Sequence, residues 1–294
     1  MRERLNRSTF SLLAPYSFWA VLFIVVPLVF VAYYAFTDNS FSFTFDNITR
    51  FFTATSTVTN GSGAETEVRT YLLIFWRSLK LAVISTIICL LLGYPMAYIM
   101  TRAGSRAQRI MMILIMIPMW MNFLIRTYAW MTILQDTGIL NGFLGVLGLG
   151  TVHIIGTESA VVIGMVYDYL PYMILPIYSI LAKMDDKLIE AAKDLGCSGP
   201  QVLRKVIFPL SMPGVLNGIT MVLIPSISTF YISQKLGNGR FFLIGDAIEN
   251  QFVANNLHFA AAMAFILMVI LLVAMALIKY VTNRQAYGKG GGLL

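Results

Sequence analysis

Two charged residues of this sequence lie inside otherwise apolar segments, and aromatic residues are dense around both. Asp168 stands between two tyrosines, and Arg126 comes two residues before another. If these segments cross a membrane, a charge at mid-span costs about 2.5–3.5 kcal/mol, so a chain keeps one for a function or a partner. A carboxylate among rings suits an organic cation, because a ring face attracts an ammonium by about 0.5–2 kcal/mol and the carboxylate adds a charge-assisted hydrogen bond.

A path for such a cation has six candidate residues, which are Trp120, Asn122, Tyr128, Asp168, Tyr172 and Tyr231. Two simpler interpretations stay open. Tryptophan and tyrosine concentrate at the water interfaces of any polytopic membrane protein. Asp168 also has Arg126 or a backbone amide as an alternative partner.

A second constellation lies in the polar, basic segment 185–209, which separates two long apolar runs. Asp186 is a suitable N-cap for a short helix, on which four apolar residues then share one face. Gly196 stands where a helix C-cap favours the left-handed conformation, and Ser198 and Pro200 are typical of the start of a second helix. The four apolar residues are Leu188, Ala191, Ala192 and Leu195. The pattern is suited to contact with another protein.

The residue patterns of catalysis are missing from the sequence. It contains no G-x-x-x-x-G-K-[ST] loop to hold ATP phosphates, no G-x-S-x-G motif and no pairing of cysteine with histidine. His153 and His258 are isolated and are expected to satisfy local hydrogen bonds, and Cys89 and Cys197 are expected to be free thiols. The prediction is a chain that is not an enzyme and holds no cofactor or metal of its own.

The elements that position these residues are predicted to be membrane helices. The chain has 294 residues, of which 58% are hydrophobic and 12% charged, a composition outside the range of soluble domains. Each apolar run of about 20 residues must be helical, because the bilayer offers no water to the backbone. The prediction is an all-α polytopic protein with six spans, at about 12–36, 77–100, 109–132, 158–182, 207–231 and 258–281.

Prolines and glycines mark expected irregularities in this frame. Spans two to five are expected to be interrupted by their prolines, and Gly214 and Gly218 are expected to allow a close helix contact. The first outer loop, about 37–76, is rich in Ser, Thr, Asn and Gly and is expected to be irregular or partly mobile. The prolines concerned are Pro95, Pro118, Pro171, Pro176 and Pro225.

The distribution of basic residues predicts the orientation in the membrane. Fourteen Lys and Arg residues lie in the termini and in the loops after spans two and four, against four in the other loops. Because cytoplasmic loops carry the excess of positive charge, both termini and the loop around Glu190 are predicted to be cytoplasmic.

The same loop resembles the EAA loop shared by the permeases of ABC importers. That pattern is Glu-Ala-Ala, three residues, Gly, nine residues and Ile-x-Leu-Pro, and here Val206 and Phe208 replace its Ile and Leu. The resemblance implies a type I ABC importer permease whose loop 183–206 forms a coupling helix docked on a cytoplasmic ATPase. The coupling residues so implied are Asp186, Glu190, Ala191, Ala192, Leu195 and Gly196.

Over most of its length the chain is similar to spermidine/putrescine permeases of this type. The segments that carry the similarity are 93–98, 118–128, 169–178, 225–233 and 242–252. One departure is Asp168, where that family carries an apolar residue, so the aromatic side chains are the stronger candidates for the path.

The similarity implies a polyamine importer that works by alternating access in the plasma membrane of a prokaryote. The implied partners are a second homologous permease, two copies of an ATPase that bind ATP and Mg, and an extracytoplasmic polyamine-binding protein. The predicted division of the chain is a cytoplasmic N-terminus (1–11), a transmembrane permease domain (12–282) and a cytoplasmic tail (283–294).

Three alternative functions remain beside this one. In the first alternative the chain is still an ABC permease, but its cargo is sulfate, thiamine or iron. The second is a secondary transporter driven by an ion gradient, which would need no ATPase and leaves the Glu190 loop unexplained. The third is a membrane enzyme or receptor, for which the sequence offers no set of residues.

Overall fold

The computed structural model describes residues 15–59 and 65–290, and the described chain is mostly helical. The residues 1–14, which include the predicted N-terminal segment and the start of the first predicted span, lie outside the described part, as do 60–64 and 291–294. The helices are α1 (Pro15–Ala35), α2 (Asp46–Thr53), α3 (Thr70–Arg102), α4 (Ser105–Trp120), α5 (Phe123–Leu134), α6 (Ile139–Val146), α7 (Glu158–Leu181), α8 (Asp186–Asp194), α9 (Gly199–Ser228), α10 (Tyr231–Leu236), α11 (Ile244–Val253) and α12 (Leu257–Gly290).

Six membrane spans are accommodated if one of them is bent. Within the described residues five helices are long and apolar enough to cross a membrane, namely α1, α3, α7, α9 and α12. The predicted third span is divided between α4 and α5, and α4 meets the segment Phe123–Val146, which α5 begins, at an angle of 96°. The interruption expected in this span at Pro118 therefore lies three residues later than predicted, because Pro118 is still part of α4 and the break falls at Met121 and Asn122.

The prolines disturb the other spans less than predicted. Pro95 lies within α3, Pro171 and Pro176 lie within α7, and Pro225 lies within α9, and helical structure continues through all four positions. A proline removes a single backbone donor, and the hydrogen bonds of the turns on either side hold these long helices together. The fifth predicted span ends early, since α9 stops at Ser228 and Tyr231 begins the separate helix α10.

The chain divides into two compact units, the first formed by residues up to Leu72 together with Ile248–Leu272. In this unit the loop predicted to be irregular contains α2 and an antiparallel hairpin of β1 (Thr55–Thr59) and β2 (Glu65–Arg69). The prediction missed the hairpin because its Thr and Val residues, which favour strands, are mixed with residues typical of loops. His258 is buried here, with its Nδ1 3.2 Å from the hydroxyl of Thr37, as expected for an isolated histidine.

The second unit, Leu73–Ala247 with Val273–Leu294, contains both constellations identified in the sequence. Its centre is the contact between α7 and α9, where Gly214 and Gly218 allow the helices to approach closely. A Cβ atom at Gly214 would lie 2.9 Å from the carbonyl oxygen of Pro176, and one at Gly218 would lie 2.7 Å from the sulfur of Met173. The predicted role of the two glycines in helix packing is confirmed.

Buried polar contacts fix the segment after α9 in the same unit. The hydroxyl of Ser233 donates to the carboxylate of Asp246 at 2.9 Å, and the backbone N–H of Leu243 donates to the other carboxylate oxygen at 2.7 Å. The backbone N–H of Ile244 donates to the hydroxyl of Ser78 on α3 at 2.7 Å. Because these groups are buried, their hydrogen bonds define the position of α10.

Candidate functional site

The predicted coupling segment forms the short helix α8, with a different N-cap from the one expected. Asp185, not Asp186, caps the helix, since its carboxylate accepts a hydrogen bond from the N–H of Lys187 at 3.0 Å. Either aspartate satisfies the sequence preference for an N-cap, and only the backbone conformation of Asp185, which is extended, decides between them. Gly196 has φ +83°, as predicted for the residue that ends the helix.

The two faces of α8 differ from the predicted single apolar face. Ile189 and Ala192 are buried and pack in a core cluster with residues of α3, α7 and α9. Leu188 and Leu195 point away from that cluster and are 48% and 86% exposed. The helix therefore has two apolar faces, one that holds it to the protein and one that is free in this chain. The prediction that Leu188, Ala191, Ala192 and Leu195 share one face is wrong at Ala192, because Ala192 packs with Ile189 in the core.

The N-terminus of α8 is also joined to the end of α3. The guanidinium of Arg102 lies 3.1 Å from the carboxylate of Asp186 and 5.5 Å from the ring centroid of Tyr98. Both charged side chains are accessible to solvent, 41% for Arg102 and 77% for Asp186. Such a pair orients the helix and contributes little to stability.

The C-terminal side of α8 leads directly into a long membrane helix. The backbone N–H of Ser198 donates to the side-chain oxygen of Gln201 at 2.9 Å, and α9 then runs without a break from Gly199 to Ser228. This confirms the helix start that was predicted at Ser198 and Pro200. Only Leu195, Gly196 and Cys197 separate the end of α8 from the Ser198 cap of α9.

Two of the candidates for the cation path, Trp120 and Asn122, lie at the bend between α4 and α5. Trp120 is the last residue of α4 and is largely exposed. Asn122 caps α5, because its side-chain oxygen accepts a hydrogen bond from the N–H of Leu124 at 2.8 Å. The cap fixes the direction in which α5 leaves the bend.

Two of the predicted residues, Tyr128 and Tyr231, come together although they are far apart in sequence. Their ring centroids are 6.3 Å apart with an interplanar angle of 75°, and Phe123 adds a third ring 5.8 Å from Tyr231. The ammonium of Lys235 lies 5.2 Å from the centroid of Tyr128 and 5.5 Å from that of Tyr231. These four residues, Phe123, Tyr128, Tyr231 and Lys235, are called the aromatic cluster below.

Asp168 pairs with Arg126, one of the two simple alternatives left open by the sequence. The carboxylate oxygen Oδ1 lies 3.0 Å from Nη1 of Arg126, and the two side chains are only 3% and 8% exposed. The contact is an ion pair without hydrogen-bond geometry. Oδ1 of Asp168 and both Nη1 and Nε of Arg126 have no hydrogen-bond partner among the described residues. The guanidinium also lies 5.9 Å from the ring centroid of Phe123, which connects the pair to the aromatic cluster.

Of the six predicted path residues, Tyr128 and Tyr231 are in direct contact. Asp168 is connected to them indirectly, since it pairs with Arg126, which lies against Phe123 of the aromatic cluster. Trp120, Asn122 and Tyr172 are exposed, and their place in a path stays a prediction. The sequence prediction missed Phe123 and Lys235. Lys235 could have been found from its position one helical turn after Tyr231, which places the two side chains on the same side of a helix. This relation was hidden because Tyr231 was assigned to the fifth span.

Comparison with known proteins shows what kind of protein carries these features. Residues 89–287, about two thirds of the chain, match the family described as "binding-protein-dependent transport system inner membrane component". The chain belongs to this family. The match includes α8, the aromatic cluster and the α7–α9 core, so the predicted resemblance to ABC-importer permeases is confirmed. A member of this transport family is a permease component of the membrane and not an enzyme.

Relatives of this binding-protein-dependent component are similar over 70–90% of the chain. It is 36% identical over 275 residues to the spermidine/putrescine transport system permease protein PotB of Haemophilus influenzae, covering 90% of each chain. It is 37% identical over 243 residues to PotB of Escherichia coli K12, covering 80% of this chain and 83% of the relative. The inner membrane ABC transporter permease protein YdcU of Escherichia coli K12 is 29% identical over 220 residues, covering 70% of each chain.

Solved structures with low sequence identity share the fold of this family member. A chain of a bacterial alginate ABC transporter, crystallised with a periplasmic protein that holds an alginate pentasaccharide, superposes with a TM-score of 0.73 at 15% identity and 96% coverage of both chains. A chain of the methionine ABC transporter MetNI in an inward-facing conformation gives a TM-score of 0.50 at 20% identity, covering 72% of this chain and 93% of that one. The predicted all-α permease fold of type I importers is confirmed.

Proposed function

We propose that this chain is the transmembrane permease subunit of an ATP-driven importer that carries polyamines, spermidine or putrescine, into the cell. The observation that carries the proposal is the 36–37% identity to two permeases of spermidine/putrescine transport systems over 80–90% of the chain. The aromatic cluster supports it, since Tyr128 is exposed and Tyr231 is half-buried beside it, and ring faces attract alkyl ammonium groups.

ATP hydrolysis takes place on a separate ATPase in this proposal, and α8 is the contact. Its free apolar face, formed by Leu188, Ala191 and Leu195, fits a hydrophobic groove on such a partner, since an exposed apolar stripe marks a protein interface. Glu190 lies beside this face and is exposed. ATP and Mg are bound by the ATPase and not by this chain.

Motion of the ATPase reaches the membrane through the buried face of α8. Ile189 and Ala192 hold α8 to the core, so a pull on the helix moves the α7–α9 pair as a body. Packed cores respond by shifting between discrete arrangements and do not deform continuously. Alternating access follows when a second homologous permease makes the opposite movement, driven by the second of two ATPase copies.

The orientation in the proposal puts α8 and both termini in the cytoplasm. It is supported by the fourteen basic residues on that side against four on the other. The aromatic cluster then lies toward the outer face, where an extracytoplasmic binding protein would deliver the polyamine. Tyr128 and Tyr231 are the first residues of the path that it meets, and Trp120, Asn122, Asp168 and Tyr172 are the further candidates.

Uptake of radiolabelled spermidine by cells tests the cargo. The gene for this chain, with its adjoining transport genes, is expressed in a strain that lacks its own polyamine import. We expect uptake that depends on ATP and is reduced by unlabelled putrescine but not by sulfate, thiamine or iron. Uptake of one of those ligands with no uptake of spermidine would assign the chain to another cargo of the same permease family.

The contact with the ATPase is tested by Leu195→Asn, with Lys193→Asn on the polar side of α8 as the matched control. We expect Leu195→Asn to remove co-purification of the ATPase, because it places an amide in an apolar groove. Lys193→Asn changes the charge at a neighbouring exposed position and is expected to keep the ATPase. Equal co-purification of both variants would rule out the proposed face of α8.

A further inference from the structure

Lys235 lies against the two aromatic residues that were predicted to receive a cation. Tyr231 and Lys235 are four residues apart on α10, so their side chains lie on the same side of the helix. The ammonium lies over both rings of the pair, 5.2 Å from the centroid of Tyr128 and 5.5 Å from that of Tyr231. Both distances are within the range of about 6 Å in which a ring face attracts a cation.

The ring pair has the geometry of a site for an alkyl ammonium. Tyr128 and Tyr231 belong to different helices, α5 and α10, and their planes meet at 75°, so that one cation contacts both faces. Phe123 supports Tyr231 from α5, with a centroid distance of 5.8 Å. The position of α10 is fixed by the buried hydrogen bonds of Ser233, so the ring pair does not depend on Lys235 for its arrangement.

The charge of Lys235 differs from that of its charged neighbour in how it is balanced. Arg126, which lies against Phe123, has the Asp168 carboxylate at 3.0 Å. The contacts described for the Lys235 ammonium are the two ring faces and the phenol group of Tyr128, and the hydrogen bond to Tyr128 raises the pKa of Lys235. The ammonium therefore stays charged at neutral pH, in a site that a substrate ammonium of the same chemistry would use.

We propose that Lys235 is a tethered occupant of an ammonium site formed by Tyr128 and Tyr231, and that a terminal ammonium of the transported polyamine displaces it. This inference rests on the proposed function. A tethered group competes at a high effective concentration, so the substrate binds weakly and leaves readily. Lys235 thereby sets the affinity of the path: it keeps a polycation from remaining on the rings once the binding protein has released it.

Binding of radiolabelled spermidine to the full-length chain, purified in detergent with its co-purifying subunits and without the binding protein, tests this role. Lys235→Met keeps the length of the side chain and removes the charge, and we expect it to tighten spermidine binding by about three- to tenfold, the equivalent of one cation–ring contact. Lys235→Arg is the matched control that keeps a cation over the rings, and its affinity should stay within twofold of the unmodified chain. Lys235→Gln serves as the uncharged variant if Lys235→Met does not assemble.

A second set of variants separates competition at the rings from general electrostatic repulsion. In a Tyr128→Leu/Tyr231→Leu background, Lys235→Met is expected to bring no gain in affinity, because the shared site is gone. A gain of the same size in that background would overturn the shared site, and so would unchanged or weaker binding by Lys235→Met in the native background. If cells import spermidine and Lys235→Met still binds it no more tightly, this inference fails while the proposed function stands; absence of spermidine uptake altogether is the failure of the proposed function itself.

Discussion

Two ion pairs of nearly the same length serve different ends in this protein. Arg126 and Asp168 are 3.0 Å apart beside the aromatic cluster, and Arg102 and Asp186 are 3.1 Å apart at the start of α8. The first pair is 8% and 3% exposed, whereas the second is 41% and 77% exposed. Distance alone would rank the two pairs as equals, but their surroundings decide how much each contributes.

The difference teaches that the buried pair of Arg126 and Asp168 is needed for stability, whereas the exposed pair of Arg102 and Asp186 can be changed at little cost. Removing one partner of a buried pair leaves an isolated charge in a medium of low dielectric, which costs several kcal/mol. Removing one partner of an exposed pair returns the other to water at little cost. α8 is held chiefly by apolar packing of Ile189 and Ala192, while α5 and α7 are joined next to the aromatic cluster by a pair of buried charges.

The largest effect is expected from Asp168→Leu. It leaves the buried guanidinium of Arg126 without a counter-charge, so the chain should lose about 3–5 kcal/mol of stability. Thermal unfolding of the purified chain in detergent measures the loss. The double variant Arg126→Met/Asp168→Leu is the matched control and should recover most of it, since neither charge then remains. If the double variant is no more stable than Asp168→Leu, the unpaired charge of Arg126 is not the cause of the loss.

An intermediate effect is expected from Gly196→Val, which tests whether α8 must end where it does. Gly196 has φ +83°, a conformation that costs a residue with a side chain about 1–2 kcal/mol, so the helix end and its exposed face should shift. We expect spermidine uptake to fall by about tenfold while the chain still inserts in the membrane.

Gly199→Val is the control for this change. A Cβ atom at either glycine meets no atom within 4 Å, and only Gly196 has a positive φ, so a difference between the variants reports on conformation and not on space. Uptake by Gly196→Val equal to that of Gly199→Val would mean that the exposed face of α8 tolerates displacement. The predicted coupling role of this helix end would then be lost.

The smallest effect is expected from Arg102→Gln, the exposed counterpart of the buried pair. Loss of this ion pair should cost about 0.2–1 kcal/mol and change spermidine uptake less than twofold. Raising the salt concentration screens the pair and should reduce even this difference, measured as uptake by membrane vesicles at low and high salt. An effect as large as that of Asp168→Leu would show that the two pairs do not differ as their exposure indicates.

The comparison also shows where prediction from sequence succeeded. Helix α8, its end at Gly196 and the new helix start at Ser198 follow from local rules of capping and backbone conformation, and they were predicted within one residue. The N-cap was misplaced from Asp185 to Asp186 because adjacent aspartates satisfy the same rule. An interruption of the third span was expected at Pro118, but the break lies at Met121 and Asn122, because helical structure continues through the proline to Trp120.

By itself the sequence determined that the chain is an all-α membrane protein with six apolar segments, the family to which it belongs and the position of helix α8. These properties depend on composition, on charge counts and on residues close to one another in the chain. Only the tertiary structure decided that Asp168 pairs with Arg126, that Ala192 faces inward while Leu195 stays free, and that Lys235 lies on the rings of Tyr128 and Tyr231. Such contacts join helices that are distant in sequence, and their geometry follows from how the helices pack and not from any local pattern.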